Sequence, residues 1–125
     1  MRGCIRLGDF REEFLAALSV WTPADYTRHW KDTALALATT SPRGAFLTSF
    51  AAPEASYHVI WPAWREGDRV FIQNRLLFAH QISGPLLPGN LPDLVGDPQR
   101  VDDDGNRVSE WAVSLEALAM FAKDR

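Results

Sequence analysis

The sequence has little cysteine, no long apolar run and no basic cluster. Cys4 is the single cysteine in 125 residues, so no disulfide can form within the chain, and a reducing cytoplasmic setting is the simplest interpretation. No apolar run approaches the ~18 residues that a membrane helix needs. The first nine residues lack the continuous apolar core of a secretory signal. We therefore expect a cytoplasmic protein that has no membrane partner.

The charge balance is mildly acidic, and no catalytic motif stands out. Thirteen basic residues oppose sixteen acidic ones, which gives a formal net charge of −3. Phosphate binding needs a cationic face, so this balance argues against nucleic acid as a direct partner. The sequence has no G-x-S-x-G nucleophile elbow and no glycine-rich loop that leads into a helix. It predicts no enzyme and no cofactor of these classes.

The rest of the composition is that of one globular domain, which we assign to residues 1–125. Apolar residues make up 46% and charged residues 23% of the chain, which is ordinary for a globular fold. The length is sufficient for one hydrophobic core. Five tryptophans indicate that the core or a contact surface is built from large flat side chains.

Local patterns predict an α+β fold, a mainly antiparallel β-sandwich or curved sheet with two helices. Thr22 can cap a helix that Pro23 begins, and Ser114 can cap the last one. The opening residues 5–18 fit either a helix or two extended pieces hinged at residues 8–9. The other predicted elements are a helix over about 22–39, strands over 44–51, 56–65, 69–77 and 107–113, and a helix over about 115–123.

Three connections have distinct signals. The acidic turn at residues 66–68, between two aliphatic strands, is the clearest hairpin. Pro62 cannot donate to a ladder, so it predicts a strand edge or a bulge. Residues 83–98 are rich in proline and glycine and are interpreted as a long, stiff surface connection.

The candidate chemical groups have plain structural interpretations. His29, His58 and His80 are not spaced as metal ligands, and we interpret them as structural or surface residues; a hydrolase with a scattered triad is the alternative. Residues 102–106 form a hairpin turn rather than a calcium loop, because their carboxylates are consecutive. Cys4 is interpreted as a passive strand residue, with an activated thiol as the alternative.

Two tryptophans lie three residues apart on one predicted strand. Ideal alternation places Trp61 and Trp64 on opposite faces, unless the intervening proline lies in a bulge. The simplest interpretation has one indole in the core and one at its rim. Trp64 is the indole that we expect to be free.

Three blocks of the sequence, in this order, resemble a known family. The first is L-S-x-W-x-x-x-D-Y-x-x-x-W at residues 18–30, and the second is V-x-[IV]-Q-N at residues 70–74 after an aromatic strand and an acidic turn. The third is D-G-x-x-[IV]-S-E-W at residues 104–111. Together they resemble contact-dependent growth inhibition immunity proteins, in the group that neutralises a ribosomal-RNA-cleaving toxin domain. The resemblance covers roughly residues 10–118.

The resemblance implies a β-sandwich core with flanking helices and a non-catalytic protein that binds a toxin nuclease and covers its active site. It also favours a strand over residues 12–18. Gln73 and Asn74 would satisfy backbone groups at a strand end, and Glu110 would pair with Arg107 or with a tryptophan N–H. The residues that match the blocks, and that we expect mainly to build the fold, are Trp21, Asp25, Tyr26, Trp30, Trp61, Gln73, Asn74, Ser109, Glu110 and Trp111.

If the partner is a cationic nuclease, exposed carboxylates are the expected contacts. Two predicted hairpin tips carry them. The candidate toxin-binding residues are Asp102, Asp103, Asp104, Glu66, Asp68 and Trp64. The alternative is a nucleic-acid or small-ligand binding module of the same fold, with Arg65, Arg69 and Arg75 on one concave face. The oligomeric state stays open.

Overall fold

The computed structural model describes residues 1–50, 57–78 and 88–123, and the fold within them is α+β. All strand pairings between its named strands are antiparallel, as the sequence predicts. The strands are β1 (Arg2–Leu7), β2 (Phe10–Leu15), β3 (Arg43–Leu47), β4 (Tyr57–Glu66), β5 (Arg69–Gln73), β6 (Arg75–Phe78) and β7 (Glu110–Ser114), and the helices are α1 (Pro23–Thr39), α2 (Leu91–Val95) and α3 (Leu115–Lys123).

The strands form two sheets. β1 and β2 make a separate hairpin, whereas the five-stranded sheet has the order β3-β4-β5-β7, with β6 also paired to β4. The interpretation of residues 5–18 as two extended pieces is confirmed, although β2 ends at Leu15 rather than at residue 18. The hinge is at Gly8, whose φ of 64° suits glycine. The helical spacing of Phe10 and Phe14 also fits a strand, because residues four apart share one face of either element.

Pro62 lies in the middle of the central strand β4, so the prediction of an edge or a bulge is wrong. β4 pairs with β6 as far as Ile60, opposite Arg75, and with β5 from Ala63, opposite Ile72. Two residues separate these pairs on each strand, so the register continues without an inserted residue. The ladder is interrupted where the proline lacks its N–H, at the junction between β5 and β6.

The five-stranded sheet is buried on both faces. One face, which we call the α1 face, carries Trp61 and Ile72 and packs against α1, α3 and the β1–β2 hairpin. The other, the α2 face, carries Leu47 and Trp64 and packs against α2. Within β4, the consecutive residues 60–64 are buried, so both faces of its middle are covered, whereas Tyr57 and Glu66 at its ends are exposed.

Both predicted helices are confirmed. Each begins at a hydroxyl that accepts an N–H three residues later. The hydroxyl of Thr22 accepts the N–H of Asp25 at 3.2 Å, and the Asp25 carboxylate accepts the N–H of Thr22 at 2.9 Å. The N–H and the hydroxyl of Thr22 both donate to the Asp25 carboxylate, and these two bonds lower the pKa of Asp25. The hydroxyl of Ser114 similarly accepts the N–H of Ala117 at 3.0 Å and begins α3. No helix in the described ranges has the length and apolar character to cross a membrane.

Part of the predicted surface connection is instead a buried helix. A 3-10 turn (Pro88–Asn90) leads into α2, where Leu91 and Val95 are 1% and 2% exposed. They lie four residues apart and form a short apolar stripe, which the surrounding prolines and glycines conceal in the sequence. Residues 83–87, residues 52–55 between the first two strands predicted after α1, and His80 lie outside the described residues.

Candidate functional site

A connection at residues 95–100, the crossing segment, runs over the α2 face and leads into the acidic loop. Three side chains of the sheet hold the backbone of the crossing segment, because each donates a hydrogen bond to one of its carbonyl groups. A carbonyl group that is buried over an apolar face needs such a donor. These bonds join Arg75 to Val95 (2.9 Å), Trp64 to Gly96 (2.8 Å) and Gln73 to Gln99 (3.2 Å). The expectation that Gln73 satisfies a backbone group is confirmed.

Trp64 is not the free indole that the sequence predicts. It is 4% exposed, and the guanidinium of Arg75 lies 5.5 Å from its ring centroid. Trp61 is 1% exposed on the opposite face. The alternation is therefore as predicted, but the rim position is wrong, because α2 and the crossing segment cover the α2 face. Because it is buried, Trp64 cannot serve as the exposed toxin contact that the sequence predicts.

Arg100 anchors the end of the crossing segment. Its Nε donates to both carboxylate oxygens of Glu110 at 3.2 Å, and Nη2 forms an ion pair with Glu66. Its guanidinium also lies 5.3 Å from the ring centroid of Phe71. Hydrogen bonds to Glu66, and then to Glu110, raise the pKa of Arg100. The predicted partners of Glu110, Arg107 or a tryptophan N–H, are wrong, since the carboxylate is turned to Arg100.

The acidic loop, residues 101–107, is the turn that the sequence predicts. A β-bridge joins its two ends. One oxygen of Asp102 accepts the N–H groups of Asp104 (3.0 Å) and Asn106 (2.9 Å), so this carboxylate shapes the loop from within. Asp103 and Asp104 are exposed. β7 begins at Glu110 rather than at residue 107. Arg107 instead forms the β-bridge with Val101 that closes the loop.

The described parts of the chain contain no group of three His, Cys, Asp or Glu side chains placed to hold a metal ion. The acidic loop thus offers exposed charge rather than a ligand cage.

The two acidic tips lie at opposite ends of β5. Glu66 pairs with Arg69 at one end, and Asp68 is exposed beside it. At the other end, Asp102 and Asp103 line a cleft that β5 and β6 also border. The rise of ~3.3 Å per residue separates the two ends of this strand by roughly 13 Å. One contact patch of about 800 Å² can cover both tips.

The aromatic family-block residues build the core, as expected. The hydroxyl of Tyr26 donates to the carbonyl of Ala17 at 2.6 Å and accepts the N–H of Phe50 at 2.8 Å. These bonds fix the chain on both sides of α1. Trp21 stacks on Phe50 with centroids 4.7 Å apart, Trp30 donates to Leu47 at 2.8 Å, and Trp111 stacks on Phe10 at 4.2 Å.

Asn74 and Ser109 are exceptions among the family-block residues, because both are exposed. Asn74 lines the cleft next to Asp102 and Asp103. Ser109 follows the acidic loop and precedes β7. Neither position is explained by packing, and both lie beside the loop.

His29 is a structural residue at a cleft of about 410 Å³ between α1, α2 and β3. Its Nε2 accepts the N–H of Leu47 at 3.0 Å. Burial lowers its pKa to about 4, so the ring is neutral at neutral pH. Asp25 and Asp32 line the same cleft, but neither carboxylate is buried, so the buried acid of a triad is not provided there.

His58 is 3% exposed on β4. Neither ring nitrogen has a hydrogen-bond partner among the residues that the structure describes. Burial lowers the pKa of this imidazole. It is a neutral core residue rather than a surface one.

The arginines of the alternative binding face do not share a face. Arg65 pairs with Val70 on the α1 face, whereas Arg69 and Arg75 lie on the α2 face. Arg75 is also engaged with the crossing segment. The concave cationic face required for a nucleic-acid module is therefore not assembled from these residues.

Comparisons with known proteins match nearly the whole chain. The family model described as the CdiI N-terminal domain matches residues 16–121. The chain is 26% identical over 118 residues to the immunity protein CdiI of Enterobacter cloacae subsp. cloacae, covering 94% of this chain and 81% of that protein. Its fold matches a chain of the CdiA-CT/CdiI toxin and immunity complex from Enterobacter cloacae with a TM-score of 0.81 and 25% identity, covering 95% and 82% of the two chains.

Proposed function

Because this chain belongs to the family of the CdiI N-terminal domain, we propose that it is an immunity protein that neutralises a toxin of contact-dependent bacterial competition. The observation that carries the proposal is the fold match over 95% of the chain to a member of a toxin and immunity complex. The chain would act without catalysis and without a cofactor, in the cytoplasm of the cell that makes it, by covering the toxin's active site.

The partner that suits the acidic tips is a cationic toxin domain, and a nuclease fits because it must bind phosphate. Exposed carboxylates at both ends of β5 would speed association and select the partner, while apolar contacts between the tips would supply much of the affinity. The proposed charged contacts are Glu66, Asp68, Asp103 and Asp104, with Asp102 shaping the loop.

Asn74 and Ser109 would form the polar part of the same contact surface. Both belong to the family blocks yet are exposed beside the acidic loop. A side-chain amide and a hydroxyl can donate or accept hydrogen bonds at an interface rim. This assignment gives the two residues a role that the core does not.

The proposal implies a toxin domain encoded next to this chain, and the test is protection of cells from that toxin. Bacteria would produce that toxin domain with the chain or with its Asp103→Lys/Asp104→Lys variant, and growth and ribosomal RNA would be followed together. We expect growth and intact RNA with the wild-type chain. Growth arrest despite abundant folded chain would overturn the proposal. Arrest without RNA cleavage, relieved by the chain, would retain the immunity role and reject the nuclease.

A further inference from the structure

An apolar groove lies between β1 and α3, apart from the acidic tips. Its volume is about 310 Å³, at the lower end of the range for ligand sites. Trp30, Phe46 and Ile72 lie along it, together with Val113 of β7. The opposite wall is formed by α3, where Ala117 is exposed.

The other wall of the groove is the free edge of β1. Four consecutive residues, from Cys4 to Leu7, line it, and successive side chains of a strand point to opposite faces. The groove therefore runs along the edge of the strand rather than over one face. Within the described ranges, β1 pairs with β2 alone.

The hydrogen-bond alternation shows which backbone groups face the groove. Met1 and Ala16 exchange both backbone hydrogen bonds, at 3.0 and 2.7 Å. In an antiparallel pair, such bonded positions alternate with non-bonded ones, so Gly3 and Ile5 bond to β2. The N–H and C=O groups of Cys4 then point away from β2, and those of the arginines two residues before and after it do the same.

Two arginines flank this open edge. Arg2 and Arg6 are exposed, and neither has an ion-pair partner within the residues described. Arg6 lies opposite Arg11 in the hairpin, an arrangement of like charges that is destabilising. Arg11 has its own partner, Glu13, at 3.2 Å. Positive charge at the edge of β1 is thus left for an anionic group outside the hairpin.

We propose that the groove binds an extended segment of a partner protein, which adds to β1 as a third strand. The segment carries acidic residues four positions apart, opposite Arg2 and Arg6, and apolar residues between them that enter the groove. Main-chain hydrogen bonds to Cys4 and Arg6 supply affinity, and the two carboxylates and the apolar side chains supply selectivity. This goes beyond toxin neutralisation, because the site lies apart from the acidic tips.

Like charges disfavour a second copy of this chain as the added strand. The antiparallel register centred on Cys4 would place Arg2 of one copy opposite Arg6 of the other. Like charges directly opposite each other destabilise a strand pair. The charge pattern therefore selects an acidic strand over self-association.

The experiment uses a fluorescent peptide Glu-Val-Thr-Val-Glu and its lysine counterpart Lys-Val-Thr-Val-Lys as probes. We expect saturable binding of the acidic peptide by anisotropy, and amide hydrogen exchange of Cys4 and Arg6 that is fast in the free protein and at least about tenfold slower with peptide. Arg6→Glu should abolish the preference between the peptides, because it leaves one charge of each sign, and Arg2→Glu/Arg6→Glu should reverse it. No saturable binding, or slow exchange of both amides in the free protein, would overturn the proposal.

Two variants on α3 test whether the peptide occupies the groove. Ala117→Trp fills the wall at an exposed position and should weaken binding by about tenfold. Glu116→Trp, the adjacent position outside the groove lining, is the matched control and should bind as the wild type does. Equal affinity of Ala117→Trp and wild type would place the peptide elsewhere and reject the site.

Discussion

The Nε of Arg100 donates to both carboxylate oxygens of Glu110, and this pair joins the crossing segment to β7. Because Arg100 also reaches Glu66, one guanidinium links three parts of the α2 face. The acidic loop begins at the next residue, so its position depends on this pair. The family-block residue Glu110 thus positions the loop rather than contacting a partner itself.

Glu110→Gln should loosen the acidic loop at a modest cost in stability. The variant removes a charged acceptor from a partly exposed pair, so we expect the free energy of unfolding to fall by about 1 kcal/mol. Amide exchange of Asp104 and Asn106 should become faster. Glu116→Gln, on the exposed side of α3, is the control and should change urea unfolding by less than about 0.5 kcal/mol. An unchanged loop in Glu110→Gln would refute the positioning role.

Trp64→Phe should destabilise the chain because it removes the donor to Gly96. The variant loses one buried hydrogen bond and leaves a small cavity. We therefore expect the free energy of unfolding, measured in urea, to fall by about 2 kcal/mol. Trp111→Phe is the matched control, since the indole N–H of Trp111 has no acceptor in the described part of the chain, and its loss should be smaller. Equal losses in the two variants would show that the bond to Gly96 contributes little.

His29 should make stability depend on pH between 6.5 and about 4. The folded chain holds this imidazole neutral with a pKa of about 4, against 6.5 when exposed, so in this window the unfolded chain binds the proton first. The stabilisation is present above pH 6.5 and is lost as the pH falls towards 4. From pH 7 to pH 5 we expect a loss of about 2 kcal/mol.

The control for this pH dependence is His29→Gln. Its amide oxygen can still accept the N–H of Leu47, but the side chain does not titrate. Urea unfolding at pH 7 and pH 5 should show a smaller loss for the variant than for the wild type. The same pH dependence in both proteins would assign it to other groups.

His58→Leu should raise the free energy of unfolding by about 1 kcal/mol. The buried imidazole has no hydrogen-bond partner among the described residues, so an apolar side chain of similar size removes an uncompensated desolvation cost. Thermal and urea unfolding would measure the change. A loss of more than 1 kcal/mol would mean that the imidazole makes a favourable polar contact.

Local signals predicted the helices and turns well, because both the signal and its effect lie within a few residues. Thr22 and Asp25 form the capping box that begins α1, and the acidic turn at 66–68 closes the hairpin of β4 and β5. Asp102 closes its own loop by bonding to residues two and four positions later. Such short-range bonds require no knowledge of the rest of the fold.

The burial of Trp64 could not be predicted, because it depends on a distant segment. Its N–H bonds to a carbonyl 32 residues away, and α2 is hidden within a proline-rich stretch. The partner of Glu110 was missed for a related reason, since Arg100 has no periodic relation to it. The groove between β1 and α3 likewise joins the two ends of the chain and has no signature in the sequence.

The immunity role is tested most directly by the association of the purified chain with the toxin domain that the proposal expects to be encoded beside it. Stopped-flow rates would be compared, over a range of salt concentrations, for the wild type, Asp103→Lys/Asp104→Lys and Glu116→Lys. We predict a 1:1 complex whose association is slowed about tenfold at low salt by the double variant alone, with the difference shrinking as salt screens the charges. No complex with the wild-type chain would contradict the immunity role, and equal rates for all three proteins would contradict the acidic contact surface.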